Sequence, residues 1–266
     1  MKNLQLITVF IVIAIFSHCK PSSELVTSSS ISSNNGDKSA LIWQQTSAEY
    51  VALCHQAFNV AQWELEKRIA QGFSQKPIVV MDLDETVMDN SPYNGKLLLT
   101  NTTYTPESWM EWTAKVEAEL VPGAYNFIIF LMENQIDVRF ISNRNVSELD
   151  VTMENIATKG LNFESNKFFL KSDGSSKAER RSLVSEDGEI IMLIGDNLAD
   201  FHNAFEENKT ISNRKNLVEK FRQEFGRKFI VLPNVMYGDW VKASKNDDPT
   251  ESINDYDSPL KYIKSY

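Results

Sequence analysis

Five short apolar runs, separated by stretches long enough for helices, most constrain how this chain can fold. Each run is continuous rather than alternating, which is typical of a strand buried on both faces. The stretches between them carry apolar residues three and four positions apart, as helices packed on a sheet do. The predicted strands are 78–81, 138–141, 168–170, 190–194 and 229–232, and the predicted helices are 124–133, 147–159, 175–184, 197–207 and 213–225. We therefore expect an α/β fold with a Rossmann-like parallel sheet covered on both sides.

A small, mainly helical addition to this sheet is predicted from residues 41–70, 92–120 and the C-terminal stretch. Its first part is a single helical pattern from about Trp43 that ends at Gly72. Cys54 lies on the apolar stripe of that helix. We therefore interpret it as a buried, inert thiol rather than a catalytic one.

The N-terminus has the pattern of an export signal. Lys2 precedes an apolar run over residues 4–16, which is too short for a permanent membrane helix but suits a signal peptide. Cys19 follows, and the segment resembles a bacterial lipoprotein signal in which that cysteine is lipidated. His18 stands where such signals have a small residue, so an unmodified thiol behind an ordinary cleavage site remains the alternative. We divide the chain into a lipoprotein-type signal peptide (1–19), a flexible Ser-rich tether (20–40) and a folded domain (41–266).

Composition excludes several classes of protein. The 266 residues are 42% hydrophobic and 24% charged, which is close to globular averages and fits neither wholesale disorder nor a polytopic membrane protein. The net charge of −9 repels a polyanion, so no nucleic-acid polymer is expected as a partner. Two cysteines provide no disulfide framework. The oligomeric state is left open.

Polar residues follow several of the apolar runs at the point where each one ends. Asp82 and Asp84 follow the first run, Ser142 follows the second, and Asp196 follows the fourth. Lys177 opens the helix after the third. Ligands of open α/β sheets bind beyond the carboxyl ends of the strands. A single aspartate there is often only a helix cap. Their joint occurrence predicts an active site at this edge of the sheet.

Four motifs carry a family resemblance. A D-x-D-x-T sequence begins at Asp82 and resembles the haloacid dehalogenase (HAD) superfamily of phosphatases that use an aspartate nucleophile. The longer strings resemble a narrower group within it, the class C acid phosphatases of the lipoprotein e(P4) 5′-nucleotidase family. The strings are DLDETVMDNSPYNG (82–95), IGDNLADF (194–201) and LPNVMYGDW (232–240).

The resemblance implies a Mg²⁺-dependent acid phosphatase. Asp82 would be the nucleophile, forming an aspartyl-phosphate, because a carboxylate that attacks phosphorus splits one difficult step into two easier ones. Asp84 would act as general acid and then as general base. The side chains of Asp82 and Asp196, with the backbone carbonyl of Asp84, would bind the Mg²⁺, and Asp200 would support the metal from outside its ligand shell.

The same resemblance assigns phosphate binding. Ser142 and Lys177 would hold the phosphoryl oxygens, with Lys171 as a second-ranked alternative to Lys177. Predicted substrate contacts are Asn90, Trp109, Asn143, Arg144 and Tyr237.

Aromatic residues near the motifs suggest the leaving group. Trp109 and Tyr237 match positions at which the family stacks a nucleobase or another aromatic group, which favours nucleoside 5′-monophosphates as substrates. Trp112 and Trp240 are more readily interpreted as core residues. Two other functions stay open: a surface ligand-binding lipoprotein with vestigial chemistry, and a phosphotransferase that uses an alcohol acceptor. The expected location is the cell envelope, as an outer-membrane lipoprotein or else a periplasmic or secreted protein.

Overall fold

A central parallel sheet organises the part of the chain that the structure describes. The structure is a computed structural model, and it describes residues 34–207, 209–246, 264 and 266. The sheet consists of β1 (Pro77–Met81), β4 (Asp137–Asn145), β5 (Phe168–Lys171), β6 (Glu189–Gly195) and β7 (Phe229–Val231) in the order β5-β4-β1-β6-β7. Every neighbouring pair is parallel. The predicted fold class and all five predicted strands are confirmed.

Helices cover both faces of the sheet, because successive residues of a buried strand point to opposite sides. Val79 and Met81 pack in the larger core cluster, together with Phe58 of α2 (Ala48–Gln71) and Phe127 of α5 (Ala124–Glu133). Ile78 and Val80 pack in a second cluster with Val184 of α7 (Lys177–Ser185) and with the rings of Phe201 and Phe229. α6 (Leu149–Thr158) also packs against the larger cluster, and α8 (Asn203–Glu207) and α9 (Ile211–Lys220) lie between β6 and β7 along the chain.

The additional elements lie mainly before β4. They are α1 (Asn34–Thr46), α3 (Ser91–Thr100), α4 (Pro106–Thr113) and a small antiparallel pair of strands, β2 (Met88–Asp89) and β3 (Glu119–Leu120). A further helix, α10 (Asp239–Asn246), follows β7. No helix among the described residues combines the length and apolarity needed to cross a membrane.

Three local predictions differ from the structure. The predicted helix from Trp43 to Gly72 is two helices, because Ser47 caps the start of α2 by accepting a hydrogen bond from the Tyr50 N–H. The chain is already helical from Asn34, seven residues before the predicted start of the folded domain. The predicted helix over 197–207 is instead a 3₁₀ turn (Leu198–Asp200) followed by α8. Cys19 and the proposed signal peptide lie outside the described residues.

Candidate active site

Asp82 lies where β1 ends, at the centre of the sheet. Its N–H still donates to the Ile194 carbonyl of β6 (2.9 Å), so the backbone pairing of the two strands fixes its position. The strand neighbours of β1 are β4 on one side and β6 on the other. After β1 the chain continues to strands on one side of it, and after β6 to a strand on the other side. This reversal of strand order is where α/β proteins bind ligands, in a crevice beyond the strand ends.

A buried lysine joins two carboxylates at this position. Lys177 Nζ lies 2.6 Å from Asp82 Oδ1 and 2.5 Å from Asp200 Oδ1. Ser176 caps the helix that begins at Lys177 by accepting a hydrogen bond from the Glu179 N–H. Burial acting alone would lower the pKa of Lys177, but the carboxylates of Asp200 and Asp82 outweigh it and raise this pKa. Lys171, the alternative in the sequence analysis, is exposed at the end of β5.

Three carboxylates form a compact acidic cluster. Asp82, Asp196 and Asp200 each offer an oxygen atom, and these atoms lie within 4.8 Å of one another. Burial raises the pKa of Asp82 to about 7, although Lys177 opposes the shift. Burial, and then the charge of Asp200, raises the pKa of Asp196 well above its usual range.

This cluster fits a divalent cation. Hard cations prefer oxygen ligands, and a cation offsets the repulsion that these buried carboxylates exert on one another. The set overlaps the predicted ligands at Asp82 and Asp196. It also includes Asp200, which the sequence analysis placed outside the ligand shell. The predicted use of the Asp84 carbonyl stays a prediction.

Asp84 is paired with an arginine from the neighbouring strand. Arg144 donates to Asp84 Oδ1 from Nη2 (2.8 Å) and from Nε (3.0 Å). Ser142 donates to Asp84 Oδ2 over 3.4 Å. Ser142 and Arg144 are both buried at the end of β4. The structure thus brings Ser142, predicted to bind phosphate, and Arg144, predicted to contact substrate, to the predicted general acid. A substrate phosphoryl group would compete with Asp84 for the same hydrogen-bond donors.

Asn90, predicted to contact substrate, lies beside Asp84, and the contact with substrate stays a prediction. Asn90 is fully buried, and both ends of its amide are used. Nδ2 donates to Asp84 Oδ1 (2.9 Å), and Oδ1 accepts from Trp112 Nε1 (2.8 Å). Its N–H donates to Glu85 Oε1 (3.1 Å). Asn90 therefore orients Asp84, and Trp112 is the buried aromatic residue that the sequence analysis favoured.

The other predicted substrate contacts are more accessible. Trp109 is half-buried and lies below the Arg144 guanidinium, 5.5 Å from ring centroid to Cζ. Asn143 is exposed, and Tyr237 is 37% exposed on the loop after β7. Trp240 is about half exposed, so the preference for a core position was wrong.

Two arginines that the sequence analysis did not single out brace the site from α7. Arg180 donates through Nη1 to the Ser142 carbonyl and through Nη2 to Asn143 Oδ1 (2.9 Å). Arg181 donates to the carbonyls of Ala199 (2.8 Å) and Asp200. Their spacing from Lys177, three and four residues, puts all three cations on one helix face. That spacing is the sequence signal that would have found them.

Comparison with known proteins identifies the family. The family model for the HAD superfamily, subfamily IIIB (acid phosphatase), matches residues 17–240, which is most of the chain. The chain belongs to this family. The predicted resemblance and the assignment as a phosphomonoesterase are therefore confirmed.

Two solved structures are similar to this acid phosphatase over nearly its whole length. The class C acid phosphatase from Bacillus anthracis is 34% identical and superimposes with a TM-score of 0.81, covering 89% of this chain and 100% of that one. A second structure of the class C acid phosphatase from the same organism, with tungstate bound, is 34% identical with a TM-score of 0.80. It covers 88% of this chain and 99% of that chain.

Proposed function

We propose that this acid phosphatase uses Mg²⁺ to hydrolyse nucleoside 5′-monophosphates through an aspartyl-phosphate on Asp82. The arrangement that carries the proposal is the position of Asp82, at the tip of β1, between Lys177 and the acidic cluster. Lys177 offsets the charge of the nucleophile and of an incoming phosphate. The structure described with tungstate bound supports recognition of a tetrahedral oxyanion in a relative.

The side chains of Asp82 and Asp196, with the Asp84 carbonyl, would hold the Mg²⁺. When bound, it would supply a positive charge that offsets the negative charges of the nucleophile and of the phosphate dianion. Asp200 already accepts from Lys177 and, through Oδ2, from the Asn197 N–H at 2.9 Å. These two hydrogen bonds support its assignment outside the ligand shell.

Hydrolysis then takes two displacements at phosphorus. In the first, a carboxylate oxygen of Asp82 forms a bond to phosphorus, the ester bond breaks, and Asp84 gives its proton to the departing alkoxide. In the second, Asp84 takes a proton from water as the water oxygen bonds to phosphorus, and the Asp82–phosphorus bond breaks to release phosphate. Asp84 needs its proton for the first step, so its four hydrogen bonds from Asn90 and Arg144 must loosen as substrate binds. Competition of the phosphoryl group for Arg144 provides this loosening, and we expect an acidic optimum.

The base of the nucleotide would stack between aromatic side chains at the rim of the crevice. Trp109 and Tyr237 are the candidates, because each is at least partly exposed and lies on an element next to the site. Stacking tolerates any base, so several nucleoside monophosphates should be substrates.

Variants of the two leading aspartates test the mechanism. Asp82→Asn should abolish turnover and any trapped phosphoenzyme. Asp84→Asn should lower turnover of 5′-AMP by about 10² to 10⁴-fold. The loss should be smaller with p-nitrophenyl phosphate, whose leaving group hardly needs a proton. The measurement is phosphate release with both substrates, with chelator and after Mg²⁺ is restored, and the exposed Asp150→Asn is the matched control. Full activity in chelator, or near-normal turnover by Asp82→Asn, would refute the mechanism.

We also propose that the mature protein is held at a membrane by a lipid on Cys19. The export pattern of the sequence supports this proposal. In fractionated cells, wild type should sediment with membranes, since the several chains of a lipoprotein anchor stably where one chain does not. Cys19→Ala should be released or remain unprocessed. Recovery of wild type entirely in the soluble fraction would contradict the anchor.

A further inference from the structure

The loop between β7 and α10 contains an asparagine that contacts two parts of the site. Asn234 lies three residues after the end of β7 and is half-buried. Its Nδ2 donates to Asp196 Oδ2 over 2.7 Å. Its Oδ1 accepts from the N–H groups of Met236 (2.9 Å) and Tyr237 (3.3 Å). Because Oδ1 faces backbone donors and Nδ2 faces a carboxylate, only one orientation of the amide satisfies both sides.

Hydrogen bonds hold both backbone polar groups of Tyr237. Asn234 accepts from the Tyr237 N–H, while Trp240 Nε1 donates to the Tyr237 carbonyl over 3.1 Å. Gly238 follows with a φ of +137°, a conformation that side-chain-bearing residues rarely adopt. A Cβ there would also lie 3.3 Å from the Trp240 ring. The turn therefore fixes the backbone from which the Tyr237 ring projects.

The amide of Asn234 is suited to both contacts at once. A carboxylate in its place would keep the acceptor but repel Asp196, and a serine hydroxyl would accept from the turn but is too short to span to Asp196 as well. With one oxygen of Asp196 engaged by Asn234, the carboxylate is held in a fixed orientation. Groups that orient a ligand in this way commonly change metal affinity by about 10 to 100-fold when they are removed.

We propose that Asn234 is a positioning residue that couples the orientation of the Asp196 carboxylate to the position of Tyr237, the residue proposed to stack on the base. It thereby fixes the distance between the sites that bind the phosphate end and the base end of the substrate. The proposal deepens the proposed function and rests on it for the identity of the substrate. It predicts that one side chain, which touches neither phosphate nor base, affects both cation binding and the preference for nucleotides.

The test uses three variants and two measurements. Binding of Mg²⁺ alone is measured by isothermal titration calorimetry, and KM is compared between 5′-AMP and glycerol 2-phosphate, which has no ring to stack. Asn234→Ala should weaken Mg²⁺ binding by about 10-fold or more and raise KM for 5′-AMP relative to glycerol 2-phosphate. Asn234→Ser should weaken Mg²⁺ binding similarly but keep more of the nucleotide preference, since a hydroxyl can cap the turn. Trp240→Phe, which loses only the donor to the Tyr237 carbonyl, should lower the preference and leave Mg²⁺ binding unchanged.

The control is Val235→Ala, an exposed change in the same loop that should alter neither quantity. An Asn234→Ala protein that folds and changes only one of the two quantities, or neither, overturns the coupling. If that variant does not fold, Asn234→Ser decides, and unchanged Mg²⁺ binding in it overturns the proposal. A wild type without preference for 5′-AMP refutes the proposed substrate and the coupling with it. A wild type with a preference that Asn234→Ala retains refutes the coupling alone.

Discussion

Removing the charge of Lys177 should damage stability as well as catalysis. Its ammonium group lies 2.6 Å from Asp82 and 2.5 Å from Asp200, and the three side chains are only 5–8% exposed. Lys177→Met keeps an unbranched chain of similar length but leaves both carboxylates without their cation, beside Asp196. Breaking a buried ion pair from one side costs about 3–5 kcal/mol. We therefore expect the free energy of unfolding to fall by about this amount at neutral pH.

The loss of unfolding free energy in Lys177→Met should depend on pH in a defined direction. Burial already raises the pKa of Asp82 to about 7, against about 3.9 for an aspartate in an unfolded chain. A carboxyl group whose pKa is higher in the folded state stabilises the protein below its unfolded pKa, and this stability is lost as the pH rises through the folded pKa. Loss of Lys177 raises the folded pKa further. The deficit of Lys177→Met should therefore be largest at neutral pH and shrink towards pH 4.

Chemical unfolding and phosphate release measure the two effects. Urea unfolding is recorded in chelator at several pH values for wild type, Lys177→Met and Lys171→Met. Lys171 is exposed, so its variant should lie within about 0.5 kcal/mol of wild type. Lys177→Met should release no measurable phosphate, while Lys171→Met should retain activity. Equal unfolding midpoints for the two variants, or a deficit that grows as the pH falls, would refute the role given to Lys177.

Two further predictions concern the surroundings of the acidic cluster and of the β4 terminus. Gly195→Ala should abolish activity and lower the melting temperature, because the new Cβ would lie 2.2 Å from Asp200 Oδ2 and force that carboxylate away from Lys177. A thermal melt and a phosphate assay measure both effects, and an active, stable Gly195→Ala protein would contradict this packing. Arg180→Met should leave the buried Ser142 carbonyl without its guanidinium donor, which costs about 1–3 kcal/mol and should raise KM for phosphate esters. An unchanged melting temperature together with an unchanged KM would show that Arg180 does not brace the strand end.

The sequence by itself determined the strands and the residues at their ends. Continuous apolar runs report burial on both faces without reference to the rest of the chain, so all five strands and their parallel pairing were predictable. The D-x-D-x-T motif and the later acidic motif placed Asp82, Asp84 and Asp196 at one edge of the sheet for the same reason. Helix bounds were predictable only where no side chain caps a new helix inside the apolar pattern. The helix over 124–133 is confirmed, while Ser47 splits the long N-terminal helix by capping α2.

Only the tertiary structure decided which side chains meet. Lys177 and Asp82 are 95 residues apart, and Arg144 and Asp84 are 60 apart, so their pairing depends on the strand order β5-β4-β1-β6-β7, which no local pattern contains. Asn90 is only six residues from Asp84, but its amide oxygen accepts from Trp112, 22 residues further along the chain, so its inward orientation also depends on tertiary packing. The periodicity of apolar residues indicates which positions are buried, whereas a hydrogen-bond partner is fixed by the packing of segments distant in the chain.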